Sequence, residues 1–269
     1  MMLKKIFNKL GIPRTYTVQH NDYSVKIPIN KGLGFANLKD AEPWMTATLK
    51  KLGSKDAYFV DVGVNVGQTL IKWKNLFPNT KYTGFEPNKA CVTYVNTLRQ
   101  KNGYSNTTVH PYGISEAQKT ETLYLLGTDP GDSSATTIVN FRKNESRREM
   151  KIESIPYHNL VKDKADLIKI DVEGAELGVL TSIFSQPCEA VILCEILPVY
   201  NTENKERLSR QEAIEVLLKK ANYRIYRIIK TDNPGLEAIE TIGIHSNMDH
   251  CDYLFIPAAK EANIIRKFN

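Results

Sequence analysis

Three short stretches of this 269-residue chain combine residue types that can do chemistry. Residues 61–67 read DVGVNVG, with Asp61 ahead of Gly63, Asn65 and Gly67. Glycines let a backbone turn tightly and come close to a ligand, and a helix starting there offers free N–H groups. The run is not the dinucleotide fingerprint, because G-x-G-x-x-G would need glycine in place of Asn65 and Gln68. An acid just before the first glycine suits a ligand with an ammonium or sulfonium charge better than a pyrophosphate. Glu86 closes a second strand-like run, where a carboxylate can accept both hydroxyls of a ribose. Together the two point to a nucleoside cofactor, with its base past a third strand near Gly113 and Ile114.

The third stretch, residues 166–176 (DLIKIDVEGAE), holds five charged residues in eleven, inside what should be a central strand and its exit turn. Lys169 and Asp171 are two apart and share a face, so Asp171 should emerge beside Glu173 at the carboxyl end. Burying the two without partners would cost several kcal/mol. A purely structural Lys–Asp pair, with Glu173 and Glu176 favouring the next helix N-terminus, is the bland alternative.

Alternating strand and helix signals must position these groups. Strand-like runs fall at 57–62, 81–85, 107–112, 166–172, 189–196, 223–229 and 252–256, with helix-like stretches at 68–76, 88–101, 174–183 and 209–221. That alternation predicts a mostly parallel sheet wound on both faces. The turn-rich link at 231–249 makes the last two strands an antiparallel pair at one edge.

Residues 61–67, 84–87 (GFEP) and 167–180 (LIKIDVEGAELGVL) resemble the FkbM family of S-adenosylmethionine-dependent methyltransferases, over roughly residues 55–257. The resemblance implies an α/β, Rossmann-like doubly wound sheet of seven strands, mostly parallel with an antiparallel last strand. It implies S-adenosylmethionine as cofactor, S-adenosylhomocysteine as product, and usually methyl transfer to a hydroxyl of a glycan or secondary metabolite. By position, Asp61, Gly63, Asn65 and Gly67 would hold the methionine portion, Glu86 and Pro87 the ribose, and Gly113 and Ile114 the adenine side. Asp171 and Glu173 would face the methyl group. Val64 stands where the family often has Ala, and Cys194-Glu195-Ile196 is a less usual end to strand five. A hydroxyl acceptor must lose a proton, so Asp171, Glu173, Lys169 and Glu195 are the catalytic candidates, one carboxylate serving as base and Lys169 orienting it. A nicotinamide oxidoreductase would share Glu86 but lacks its glycine fingerprint.

Other signals rank lower. Residues 245–252 (HSNMDHCD) collect metal-ligating types, but irregular loops gather such residues anyway, and no metal is expected. Nucleic-acid acceptors are not expected, since neither a Pro-Cys nor a Pro-Pro-Tyr/Trp motif follows strand four. The polar run 131–137 is followed by the charged run 140–151, which reads as a solvated helix, with a lid over the acceptor site as the sharper alternative. No apolar run nears the ~20 residues of a membrane span. The interrupted N-terminus and four scattered cysteines suit the cytoplasm.

The net charge of +6 is unevenly placed. Residues 1–56 hold ten lysines and arginines against four acids, and the rest is neutral by count. The expected organisation is a basic N-terminal cap, 1–56, packed on a methyltransferase domain, 57–269. Leu3, Ile6, Phe7 and Leu10 give the first turns an apolar face that could dock on the body, a second subunit or a membrane surface. The sequence carries no signal for oligomeric state.

Overall fold

Polar and apolar residues alternate early in the chain, and they form an antiparallel hairpin of β1 (Arg14–His20) and β2 (Tyr23–Ile29). Its Val25, Ile27 and Ile29 are buried. The computed structural model describes residues 14–20, 23–126, 135–138 and 147–269. Helix α1 (Pro43–Leu52) follows the hairpin, with Pro43 in its first turn. Strand and helix then alternate through β3 (Tyr58–Val62), α2 (Gln68–Leu76), β4 (Lys81–Phe85), α3 (Lys89–Asn102) and β5 (Thr107–His110). Three strands come next: β6 (Gly113–Ile114), β7 (Lys119–Leu126) and β8 (Arg147–Ile155). The chain continues through β9 (Leu167–Ile170), α4 (Glu176–Ile183), β10 (Val191–Glu195) and α5 (Lys205–Lys220). It closes with β11 (Tyr223–Ile229), β12 (Gly235–Ile239), β13 (Asp252–Pro257) and α6 (Glu261–Arg266).

The main sheet runs β12-β11-β13-β10-β9-β3-β4-β5. Strands β5, β4, β3, β9 and β10 are parallel, whereas β13 is antiparallel to both β10 and β11. The sheet therefore has eight strands, not the expected seven. The addition is β12, antiparallel to β11 at the edge, inside the segment read as turns. Its residues are half-buried or exposed, so it lacks the apolar alternation that marks a covered strand. Every residue of β3 and of β9 is buried, as expected for strands covered on both faces.

Two apolar layers clamp the sheet. One gathers Ile27, Leu49, Leu70, Val95 and Ile264, so the hairpin and α1 share a core with α2, α3 and α6. The other gathers Leu180, Ile183, Ile214 and Leu218 from α4 and α5. Polar contacts also tie the front segment down: Asn37 donates to Val66 O at 2.7 Å and to Tyr94 Oη at 3.1 Å, and Lys72 pairs with Asp40 at 2.8 Å.

Residues 147–151, expected within a solvated helix, instead open β8. Ile152 and Ser154 are buried while Glu149, Lys151 and Glu153 are exposed, a period of two. Charges spaced for a helix imitate one there, but pairing with β7 decides the structure. Strands β6, β8 and β7 form a separate three-stranded sheet. The apolar N-terminal turns at Leu3, Ile6, Phe7 and Leu10, most of the 131–137 run, and Arg142 and Lys143 lie outside the described residues. Among the described residues, no helix is long and apolar enough to cross a membrane.

Candidate active site

Strand β3 lies between β4 and β9, the point from which the chain winds outward in both directions. Open α/β sheets bind ligands at the carboxyl edge of such a point. Here the turn after β3 has Gly63 at φ +94°, Asn65 at +47° and Gly67 at +80°. A Cβ on Gly63 would sit 1.8 Å from Asp171 O, so only glycine lets the two turns close on each other. Gly63 N and Val64 N both donate to Phe85 O, at 2.9 and 3.2 Å. Glu86 follows directly. One of its oxygens accepts from Asn65 N and the other from Asn88 N, each at 2.8 Å. Burial pushes the Glu86 carboxyl up to about 7, against the pull of those two N–H bonds.

Beneath that turn lies a buried ion network. Lys169 Nζ donates to Asp171 Oδ2 at 2.9 Å and stands 3.7 Å from Asp61 Oδ1. Tyr82 Oη donates to Asp61 Oδ2 at 2.6 Å. Among the described residues, Asp61 Oδ1 has no hydrogen-bond partner. Burial opposes the charge on Lys169, but Asp171 and then Asp61 outweigh it and hold the ammonium above its ordinary range. Burial raises Asp61 in turn, with Lys169 opposing. The structural Lys–Asp pair is thus real, and one of its members, Asp171, still faces open space.

The turn after β9 is tied from both sides. Glu173 adopts φ +54°, and its carbonyl accepts from Thr136 Oγ1 at 2.6 Å. Gly174 N donates to Glu176 Oε1 at 2.7 Å, and burial raises Glu176 to about 7. Two strands further, Glu195 ends β10 in register with Asp252 at the start of β13. Burial, then the charges of Asp171 and Asp252, push Glu195 up to about 9. Burial also lifts Asp252 to about 6, although Lys230 pairs with it at 2.6 Å. The Lys230 ammonium lies 5.0 Å from the ring centre of Trp44, which links this corner to α1.

The two motif turns and the ends of β9, β10 and β13 border one cleft, about 1260 Å³ of space including its open mouth. Gly63, Asn65, Glu86, Pro87, Gly113 and Ile114 line it, and so do Lys169, Asp171, Glu173 and Glu195. Asp61 and Gly67 do not line it. Asp61 is wholly buried under the turn, and a Cβ on Gly67 would point at Leu98, 3.1 Å away. Both shape the site from behind, in contrast to the direct contact that the sequence suggested.

Several lining residues escaped the sequence reading. Glu42 and Met45 come from the front segment, Thr69 from the first turn of α2, and Glu121 and Ser154 from the small sheet. Asp252 is legible as a charge opening an otherwise apolar strand, although in sequence it also ends the His-rich loop before it. Ala135 and Thr137, the described end of the polar run, also line the cleft. Among the described residues, no three His, Cys, Asp or Glu side chains are grouped to hold a metal ion.

A family model described as the methyltransferase FkbM domain matches residues 61–225. Similar solved structures include a methyltransferase FkbM from Methylobacillus flagellatus, 18% identical with a TM-score of 0.46, over 76% of this chain and 44% of that one. A second is a Podospora anserina methyltransferase solved with S-adenosylhomocysteine, 11% identical with a TM-score of 0.46, over 79% and 76% of the two chains. A third is the O-methyltransferase of a trans-AT polyketide synthase multienzyme of Brevibacillus brevis, solved with S-adenosyl-L-homocysteine. It is 19% identical with a TM-score of 0.39, over 70% of this chain and 53% of that one. The chain thus spans less than half the length of the first and about half that of the third. No curated protein matches it in sequence.

Proposed function

The chain belongs to the FkbM methyltransferase family, and from that premise we propose that it carries a methyl group from S-adenosylmethionine to a hydroxyl oxygen of a glycan or other small-molecule acceptor. The observation that carries this reading is the closure of the two motif turns on each other. With Gly63 against Asp171 O, the ribose-type carboxylate Glu86 and the reactive carboxylate Asp171 border one cleft.

The residues present fit such a cofactor. Each Glu86 oxygen accepts one N–H bond, which leaves a lone pair on each for the two ribose hydroxyls. Pro87, Gly113 and Ile114 give the base a mostly apolar border, and the backbone of Gly63 and Asn65 flanks the amino-acid portion. Asp61 acts from below by holding Tyr82 and Lys169. The cofactor supplies a methyl group already activated on a sulfonium. The protein's own tasks are to align the acceptor, exclude water and take one proton.

Asp171 is the base in this reading. Lys169 fixes one of its oxygens and leaves the other to receive the hydroxyl proton. Glu195, raised to about 9, stays protonated in the unliganded cleft near neutral pH and donates a hydrogen bond where Asp171 accepts one. Glu173 borders the same space from a strained turn. Residues 1–56 serve as a basic cap on a catalytic unit of residues 57–269, and the cytoplasm is the working compartment. Incubation with methyl-labelled S-adenosylmethionine and separated glycan, lipid, small-molecule and protein fractions tests the reaction. Label should enter the glycan or small-molecule pool. Asp171→Asn should lower that transfer by roughly 10²–10⁴-fold while S-adenosylhomocysteine still binds. Full transfer by both Asp171→Asn and Glu173→Gln would remove the base assignment.

A further inference from the structure

The polar run ahead of β8 reaches the reacting turn through one threonine. Residues 135–138 lie along the small sheet: Tyr124 N donates to Thr136 O at 2.8 Å, and Thr136 N donates to Tyr124 O at 3.0 Å. In the order β6-β8-β7 the outer strand is β7, so this bridge extends the sheet by one short antiparallel piece. Side chains on extended backbone point alternately to opposite sides. Ala135 and Thr137 line the cleft, whereas Thr136 between them does not and is 4% exposed.

The Thr136 hydroxyl is committed on both counts. Its oxygen accepts from Ile138 N at 3.1 Å, and its proton is donated to Glu173 O at 2.6 Å. A carbonyl can only accept, so chemistry fixes the direction of that bond. Glu173 is the residue of the turn that most needs a brace. It sits at φ +54°, a left-handed conformation that a side chain disfavours, and Gly174 follows at φ +109°. Such strain persists only where surrounding bonds hold it. Asp171 N donates to Val62 O at 3.0 Å, and Gly174 N donates to Glu176 Oε1 at 2.7 Å. Those two ties come from the strands and helices of the main sheet. The third, at the strained residue itself, comes from 37 residues upstream, out of a segment joined to a different sheet.

We infer that Thr136 is a positioning residue for methyl transfer: its hydroxyl holds Glu173 O and so fixes the turn that aims Asp171 into the cleft. This rests on the methyltransferase reading of that cleft and adds to it a residue that acts through another. Lys169 fixes one oxygen of Asp171 but not the backbone that follows it. A misplacement of about 1 Å at a reacting group can cost roughly 10²-fold in rate, so the backbone must be held as well. The small sheet also brings Gly113 and Ile114 to the cleft border. Thr136 therefore ties the wall assigned to the nucleoside base to the turn that takes the proton.

Two variants of the full-length protein test this. Thr136→Val keeps the shape of the side chain and removes the hydroxyl, whereas Thr136→Ser keeps the hydroxyl. Each is compared with the wild type by amide hydrogen exchange, by calorimetric titration with S-adenosylhomocysteine, and by label transfer from methyl-labelled S-adenosylmethionine into the accepting fraction. In Thr136→Val the amides of Asp171 and Gly174 should exchange about tenfold faster, while those of β3 and α2 keep their rates. Transfer should fall by about 10–100-fold. S-adenosylhomocysteine affinity should be kept, because the Gly63 turn and Glu86 are untouched. Thr136→Ser should restore both exchange and transfer. Unchanged transfer in Thr136→Val would overturn the inference whatever the exchange shows, and so would a Thr136→Ser protein as impaired as Thr136→Val. Faster exchange spread evenly over the small sheet and the turn, with a lowered melting temperature, would also overturn it by making Thr136 a merely structural residue. A wild type that labels no fraction would count against the methyltransferase reading instead, and exchange at Asp171 and Gly174 would then decide whether Thr136 holds the turn.

Discussion

Lys169 is the side chain on which the site turns. It is buried in the middle of β9, and its one charge is shared between Asp171 in the cleft and Asp61 beneath. Its sequence setting already gave notice, since a lysine two residues before an aspartate inside a strand must find partners or cost several kcal/mol. What the sequence could not give was the third member, because Asp61 meets Lys169 only through parallel pairing of β3 with β9. Lys169→Met should lower stability by about 3–5 kcal/mol in chemical denaturation, as a buried carboxylate loses its counter-charge. Adding Asp61→Asn should recover part of that loss, and a double variant no better than the single would refute the coupling. Gly63→Ala should be harsher on function than on folding. The added carbon would push the two turns apart at Asp171 O, and S-adenosylhomocysteine binding should fall beyond detection in titration.

At the scale of elements, the hinge of the site is the front segment. Asn37 reaches from the loop before α1 to Val66 O inside the glycine turn, and its side chain is 1% exposed. Asn37→Ala should leave that carbonyl without its partner, destabilise the protein by about 1–3 kcal/mol and weaken S-adenosylhomocysteine binding about tenfold. Unchanged affinity with a lowered melting temperature would confine the front segment to a structural role. The central strands and the helices between them were legible because strands buried on both faces read as short apolar runs. The hairpin, β7, β8 and β12 were not. In β8, charged residues on the outer face such as Glu149 and Lys151 hid a period of two that shows only when the strand is paired with β7, and β12 has no apolar alternation to read. Those missed strands bear on the site, since the small sheet supplies Glu121 and Ser154 to the cleft. Motifs located the cofactor end, and tertiary pairing was needed to assemble the acceptor end.

For the whole molecule, a basic chain encloses an acidic cleft, and this has a consequence for its pH behaviour. Burial raises Asp252 to about 6, Glu86 and Glu176 to about 7, and Glu195 to about 9. Each is lifted above its unfolded value, so between about pH 4 and pH 7 the folded protein holds more protons than the unfolded chain. Stability therefore falls as pH rises through that window, and these groups favour folding most at its acid end. The ligand-free protein should melt higher at about pH 5.5 than at about pH 7.5, read by differential scanning calorimetry in matched ionic strength. A melting temperature that climbed with pH would contradict the assigned burial. The most direct test of the whole reading is calorimetric titration of the full-length protein with S-adenosylhomocysteine, set beside NADH and a Gly63→Ala control. Saturable binding of S-adenosylhomocysteine at one site per chain, lost in Gly63→Ala, and no binding of NADH is the expected result. Binding of NADH instead, or S-adenosylhomocysteine binding that Gly63→Ala leaves untouched, would contradict a methyltransferase cleft built on these two turns.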